Sequence, residues 1–371
     1  MKILVVTQDF PPLTGGIQSY MGCLSEHLVP RCASLSVVAP GGPKEAQTDS
    51  DRPFGVQRIR IHSSWLVAPM ILRLPELVAR TGATHVIYAQ WFPALAGIRL
   101  AKSVHQTAIV HGRELLNHPL GAIGLGLAGP VLRRMHAVVP NSRATADLLP
   151  GGIDPSRVHV VHPGVDSTRL HPPSPEDIAR FCQRQELAPG APVVTTLARL
   201  VPRKGIDTLV ASIGILRASH PDAKLLIGGS GPDRERLEKL VAESGLQEAV
   251  RFVGRIPSED MGAFFACGVF ALLSRQTARD LEGFGMVLAE AQSCGAPVVA
   301  ARSGGMPEAV GEGAGIVVPP DSPSEAAKAI AELFDSPVRR TEMGLLGRAF
   351  AQGLSWESRA DAFARILSKA T

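Results

Sequence analysis

Two short apolar runs constrain this chain more than any other feature: Lys2–Thr7 (KILVVT) and Pro192–Leu197 (PVVTTL). Neither alternates apolar with polar residues. A strand with one wet face would alternate, so a continuous run predicts a strand covered on both faces, as in a parallel sheet. Each run opens a series. After the first come strand candidates Leu35–Ala39, Gln57–Ile61, His85–Tyr88, Thr107–Val110 and Ala137–Val139, separated by helical stretches that begin with Gly16–Leu28. After the second come Lys224–Ile227, Arg251–Val253, Val269–Leu273 and Val298–Ala300, interleaved with helices at Asp207–Ala218, Arg234–Ser244, Ser258–Ala266 and near Met286–Cys294. Strand and helix alternating twice over predict two Rossmann-like α/β halves with doubly wound parallel sheets and a cleft between them. A length of 371 residues suits two domains. The expected boundaries are 1–170 and 177–354, with proline-rich His171–Asp177 (HPPSPED) as linker. Ser355–Lys369 reads as a closing helix with an apolar stripe of Trp356, Ala360, Phe363, Ile366 and Leu367.

Charge is uneven. Residues 1–170 hold 16 Lys+Arg and 10 Asp+Glu, a balance of +6, while residues 171–371 hold 22 and 24, a balance of −2. A basic front half suits an anionic partner: a membrane surface, a phosphorylated acceptor or a nucleic acid. Aromatic residues make up only 5%, which argues against base-stacking platforms and so against nucleic acid. The five cysteines (Cys23, Cys32, Cys182, Cys267 and Cys294) are odd in number and lack C-x-x-C spacing. A disulfide framework or zinc site is not expected, and a reducing cytoplasm fits. The first residues read as a strand rather than a leader, and no apolar stretch approaches ~18 residues. Pro119–Leu132 (PLGAIGLGLAGPVL) is uncharged and precedes Arg133-Arg134. It reads either as a buried Gly-rich helix or as an element touching lipid.

In sheets of this kind ligands sit outside the carboxyl ends of the strands, so the chemistry belongs in the loops there. Pro11–Gly16 (PPLTGG) places Gly15-Gly16 at a helix start, where backbone can approach an anion. Arg199–Gly205 (RLVPRKG) places two cations, Arg199 and Lys204, on one loop, a pattern that can clamp a diphosphate. Glu282–Glu290 (EGFGMVLAE) sets one carboxylate before a Gly-x-Gly turn and another on the following helix. The free N–H groups near Gly285, Met286 and Val287 suit a phosphate. Other motifs read as ordinary structure. Gly229-Ser-Gly231 lacks the third glycine of a dinucleotide fingerprint, so a dehydrogenase is not expected. Asp49-Ser-Asp51 sits in a polar stretch and reads as a solvated turn. His159 and His162 read as structural, and Cys294 as packed.

Glu282-x7-Glu290 resembles the signature of retaining glycosyltransferases of family 4, which have the GT-B fold. DFPPLTGGIQSY, His111-Gly112-Arg113-Glu114, Asn141-Ser142, His162–Asp166, RLVPRKG, GGSGPD, FVGRI and SGGMPEAV match family blocks in order and spacing, so the resemblance covers nearly the whole chain. The first loop and RLVPRKG are similar to those of phosphatidylinositol mannoside mannosyltransferases. Two departures stand out: Pro140-Asn141-Ser142, where many members have Val-Ser, and a long Gln276–Leu281 insert beside the sugar pocket.

The resemblance implies a nucleoside-diphosphate sugar as donor, first of all GDP-mannose, with UDP-glucose or UDP-N-acetylglucosamine as the alternative. A GT-B sugar-nucleotide epimerase is the reading from another reaction class. Arg199 and Lys204 would bind the diphosphate, helped by backbone at Gly15, Gly16 and Met286–Leu288. Glu282 would meet sugar hydroxyls, Glu290 the ribose, and Arg255 and Ile256 the base. His111 would lie near the reacting centre. Asp9, Gln18, Tyr20 and Arg113 are the acceptor-side candidates, for a hydroxyl acceptor that is lipid-linked or anionic. No carboxylate stands out as a nucleophile, so front-face substitution with retention is expected, the diphosphate taking the acceptor proton. Two cations and a helix start would replace a metal, and none is expected. The closing helix, with residues 355–371, would return to the N-terminal domain. Peripheral contact at the inner membrane face would follow from the basic front half.

Overall fold

The computed structural model describes residues 1–60, 67–118 and 121–369. Among these residues, runs of Val, Ile, Leu and Ala form twelve short strands. In the first half these are β1 (Lys2–Val6), β2 (Ser34–Pro40), β3 (Gly55–Ile59), β4 (His85–Tyr88), β5 (His105–Val110) and β6 (Ala137–Pro140). In the second they are β7 (Val193–Leu197), β8 (Lys224–Gly228), β9 (Val250–Gly254), β10 (Val269–Leu272), β11 (Val298–Ala301) and β12 (Gly315–Val318). Every pairing between these strands is parallel. The two sheets run β3-β2-β1-β4-β5-β6 and β12-β11-β10-β7-β8-β9. Counted from its own first strand, each has the Rossmann order 3-2-1-4-5-6. The central strands β1, β4, β10 and β11 are buried almost throughout, as apolar runs without alternation require.

The chain divides into two compact units, Met1–Gly164 with Trp356–Thr371, and Val165–Ser355. The helix Trp356–Lys369 therefore belongs to the first unit although it is last in sequence. Its buried stripe of Trp356, Ala360, Phe363, Ile366 and Leu367 explains the placement. Trp356 meets Tyr20 edge-on at 5.3 Å between ring centroids. Arg31 Nε binds Asp361 at 2.6 Å.

His171–Asp177 is not a linker. It lies inside the second unit, where Ser174 caps the helix Pro175–Arg184 in a reciprocal capping box with Asp177. Pro175 stands at the first helical position, where proline's missing N–H costs nothing. The third strand of the first sheet ends at Ile59, and Ile61 lies outside the described residues. Pro119–Leu132 becomes the helix Gly121–Leu132, with Pro119 and Leu120 outside the described residues.

Candidate active site

In each sheet the strand order reverses beside the first strand, so the β1/β4 and β7/β10 pairs are the switch points where such sheets bind ligands. In the second unit the loops after β7 and β10 carry Arg199, Arg203, Lys204, Ser274 and Glu282. Glycine sets their spacing. Gly205 has φ 65°, and a Cβ there would stand 1.9 Å from the Leu273 carbonyl oxygen. A Cβ on Gly229 would lie 2.0 Å from the Ala198 oxygen. The Gly229-Ser-Gly231 turn thus presses on the Arg199 loop, and the Leu200 amide donates to the Ser230 carbonyl at 2.9 Å.

Glu282 is the centre of this group. Its side chain is 15% exposed. Oε2 accepts from Lys204 Nζ and from Arg203 Nη1, the latter at 3.0 Å. Ser274 Oγ lies 3.5 Å from the same oxygen. Arg203 is held in turn by Asp280, with Nε 2.9 Å from Oδ2. Burial pushes the Glu282 carboxyl up. The Lys204 and Arg203 charges and hydrogen bonds outweigh that and hold it below the ordinary glutamate value. The group is therefore an ionised carboxylate with one oxygen clamped and Oε1 unengaged by the described residues. Such an oxygen can accept from a sugar hydroxyl.

Other expected donor residues lie in the same unit. Arg199 is exposed and has no side-chain partner among the described residues, so its guanidinium is available to an anion. Gly285 caps the helix Met286–Ser293. Among the described residues the Met286 and Val287 amides have no backbone acceptor, while the Leu288 amide donates to the Gly285 carbonyl at 2.8 Å. Leu288 is thus removed from the phosphate donors. Glu290 sits on the same helix, its carboxyl raised by burial against the pull of Arg169. Arg255 is exposed and Ile256 is buried at the end of the β9 loop.

In the first unit, the loops after β1 and β5 and the helix Gly16–Leu28 bring Asp9, His111 and Gln18 near one another. His111 Nε2 lies 2.9 Å from the Ala89 carbonyl, and its amide donates to Glu114 Oε1 at 2.6 Å. Burial lowers the His111 pKa against the opposing charges of Glu114 and Asp9. A carbonyl only accepts, so the neutral ring carries its proton on Nε2 and offers Nδ1 as acceptor. Asp9 Oδ1 accepts from Gln18 Nε2 at 2.8 Å, and burial raises the Asp9 carboxyl despite His111. Gly15 and Gly16 are exposed, as is Arg113.

Tyr20 and Asp49 also differ from their reading in the sequence. Tyr20 is 1% exposed, packed edge-on against His111 and Trp356, and cannot present its ring to an acceptor. Asp49 is not a solvated turn residue. It is buried against Arg58, with contacts of 2.8 and 2.9 Å. Among the described residues no cluster of three or more His, Cys, Asp or Glu is placed to hold a metal ion.

The Glycosyltransferase Family 4 pattern matches residues 14–169, and the Glycosyl transferases group 1 pattern matches residues 177–350. A GDP-mannose-dependent alpha-(1-6)-phosphatidylinositol monomannoside mannosyltransferase of Mycolicibacterium smegmatis is 36% identical, over 99% of this chain and 98% of its own. The chain is a family 4 glycosyltransferase. A Corynebacterium glutamicum mannosyltransferase that uses the monoacylated form of that lipid is 32% identical to this transferase, over 99% and 97% of the two chains. Anabaena HepE, solved with UDP, superposes with a TM-score of 0.83 at 22% identity over the whole of both chains, which places this transferase in the GT-B fold.

One residue of the transferase's site escaped the sequence reading. Arg203 was passed over between Arg199 and Lys204, yet it bridges Asp280 and Glu282. Its signal was present: Asp280 falls in the Gln276–Leu281 insert noted as unusual. That insert supplies the carboxylate that fixes Arg203.

Proposed function

We propose that this glycosyltransferase moves mannose from GDP-mannose, with retention, onto a mannosylated phosphatidylinositol or a closely similar lipid-linked acceptor. The observation that carries the reading is the ionised Glu282 clamped by Lys204 and Arg203 beside the open Met286–Val287 amides. Two whole-length relatives named as GDP-mannose-dependent transferases to such lipids support the choice of sugar and acceptor. In this reading Arg199, Lys204 and the two amides hold the diphosphate and stabilise it as it leaves. Glu282 Oε1 orients the mannose, Glu290 the ribose, and the Arg255–Ile256 backbone the base. His111 Nδ1 and the Gly15-Gly16 backbone serve the reacting end of the substrate, and the acceptor oxygen attacks on the face the diphosphate vacates. Asp9, Gln18 and Arg113 serve the acceptor.

The acceptor's lipid would bring the enzyme to a membrane surface. Among the described residues no helix is long and apolar enough to cross one. The helix Gly121–Leu132 instead exposes Ile123 (79%) and Leu127 (37%), followed by exposed Arg133 and Arg134. An apolar face flanked by arginines suits an anionic bilayer surface.

Initial rates with GDP-mannose, UDP-glucose and UDP-N-acetylglucosamine, each offered with phosphatidylinositol monomannoside and read by mass spectrometry, test the proposal. A one-hexose product formed fastest from GDP-mannose supports it. Faster transfer from either UDP-sugar overturns the choice of donor, and isomerised nucleotide sugar without transfer supports the epimerase instead.

A further inference from the structure

One buried cation of the first unit makes four side-chain donations. Arg58, on β3, is 5% exposed in its side chain and Asp49 is 8% exposed. Their contact is bidentate, Nε to Oδ2 at 2.8 Å and Nη2 to Oδ1 at 2.9 Å. Two further donations go to main-chain carbonyls: Nη1 to Pro40 at 3.0 Å, and Nη2 to Pro11. Pro40 ends β2, whereas Pro11 opens the exposed Pro11–Gly16 loop. One guanidinium thus ties that loop to the rigid edge of the sheet. A second arginine braces the arrangement. Arg52 lies 5.0 Å over the Phe10 ring and binds Glu26 on the helix Gly16–Leu28 at 2.8 Å.

A stretch with two prolines has few amides of its own with which to hold a shape. An isolated buried cation is unfavourable unless it is neutralised and its donors are used, and Asp49 with two carbonyls meets that need. The guanidinium makes four donations here, two of them a fork on the carboxylate; an ammonium has three donors and no fork. The tether therefore has a geometric task beyond charge balance.

We propose that Arg58, locked by Asp49, is a positioning residue for transfer: it sets the Pro11–Gly16 loop so that the Gly15-Gly16 backbone meets the substrate. This rests on the assignment of that loop to the substrate. Among the described residues, a Cβ on Gly16 would meet no atom within 4 Å. Gly16→Val therefore tests the loop's role apart from the tether.

The experiment measures kcat and KM for GDP-mannose, GDP affinity and melting temperature for Arg58→Ala, Arg58→Lys, Asp49→Asn and Gly16→Val. Arg58→Ala is expected to lower kcat/KM by about 10- to 100-fold, the scale of a misplaced substrate contact. Low-millimolar guanidinium should restore part of that rate, and none of the rate lost in Gly16→Val. Arg58→Lys should fold and remain impaired, and Asp49→Asn should fall in the same direction. A lower melting temperature with unchanged kcat/KM in the folded Arg58→Ala or Arg58→Lys enzyme would reduce the tether to a stabilising contact and overturn the proposal. Failure of guanidinium to restore any rate would overturn it too. Full activity in Gly16→Val would instead remove the loop from the substrate, and the assignment beneath the proposal would fall.

Discussion

Replacing Lys204 with methionine keeps most of the length of the side chain and deletes its charge. The Lys204 side chain is 12% exposed, and its ammonium donates to Glu282 Oε2, which Arg203 also reaches at 3.0 Å. Two losses should follow, and they differ in kind. The first is stability. A buried carboxylate that loses its only partner costs about 3–5 kcal/mol. Here Arg203 remains, so the loss should approach that of one charged hydrogen bond, about 1.5–3 kcal/mol. Because the folded Glu282 carboxyl sits below its ordinary value, its contribution is present at neutral pH and fades as pH falls through the acid range. The methionine enzyme should therefore differ less from wild type in acid than at neutral pH. The second loss is catalytic. If Lys204 stabilises charge on the departing diphosphate, kcat should fall about 10²–10³-fold, or about 3–4 kcal/mol. GDP affinity should fall less, since the charge on the leaving group grows only in the transition state.

Initial rates, GDP calorimetry and urea unfolding of Lys204→Met, Glu282→Gln and the double variant separate these effects. The direct Nζ–Oε2 contact predicts a coupling of about 0.5–3 kcal/mol in stability. Single effects that add, together with kcat within about threefold of wild type, would refute both the clamp and its place in the reaction.

Other outcomes follow from the same geometry. Gly16→Val should lower kcat/KM while leaving melting nearly unchanged, because an added Cβ meets no described atom within 4 Å; enzyme rates and a melting curve check it. His111 has a pKa below its ordinary value of 6.5, so below that value the unfolded chain takes a proton the folded chain resists. Stability should therefore fall between pH ~7.5 and ~5.5, and urea midpoints for His111→Asn should show a shallower fall. The slope should not vanish, since His85, His118, His136 and His159 are lowered in the same direction. Ile123→Asp, alone or with Arg133→Gln and Arg134→Gln, should reduce sedimentation with phosphatidylglycerol vesicles while transfer to a water-soluble mannoside stays unchanged.

Local pattern made much of the fold legible. The helix Gly16–Leu28 and the strand His85–Tyr88 were readable to the residue, because each is bounded by residues that break its period. The loops after β1, β7 and β10 were marked by glycine and charge at strand ends. What stayed hidden depends on partners distant in sequence. Tyr20 looked available because nothing near it announces Trp356 as its cover. Asp49 looked solvated because Arg58 is recognisable as its partner only once β3 lies beside β2. Arg203 looked like one more loop cation until Asp280 turned it onto Glu282. The prolines of His171–Asp177 suggested an extended link, yet Ser174 and Asp177 three residues apart were a helix start in plain view.

The most direct test of the account follows the sugar itself. GDP-mannose labelled with carbon-13 at the anomeric position is incubated with the enzyme and phosphatidylinositol monomannoside, and the label is watched by NMR. The label should leave GDP and appear in a new α-mannosidic bond on the lipid, with formation slowed in Lys204→Met and Glu282→Gln. A β-linked product, or label that stays on GDP while UDP-glucose is consumed under the same conditions, would contradict it.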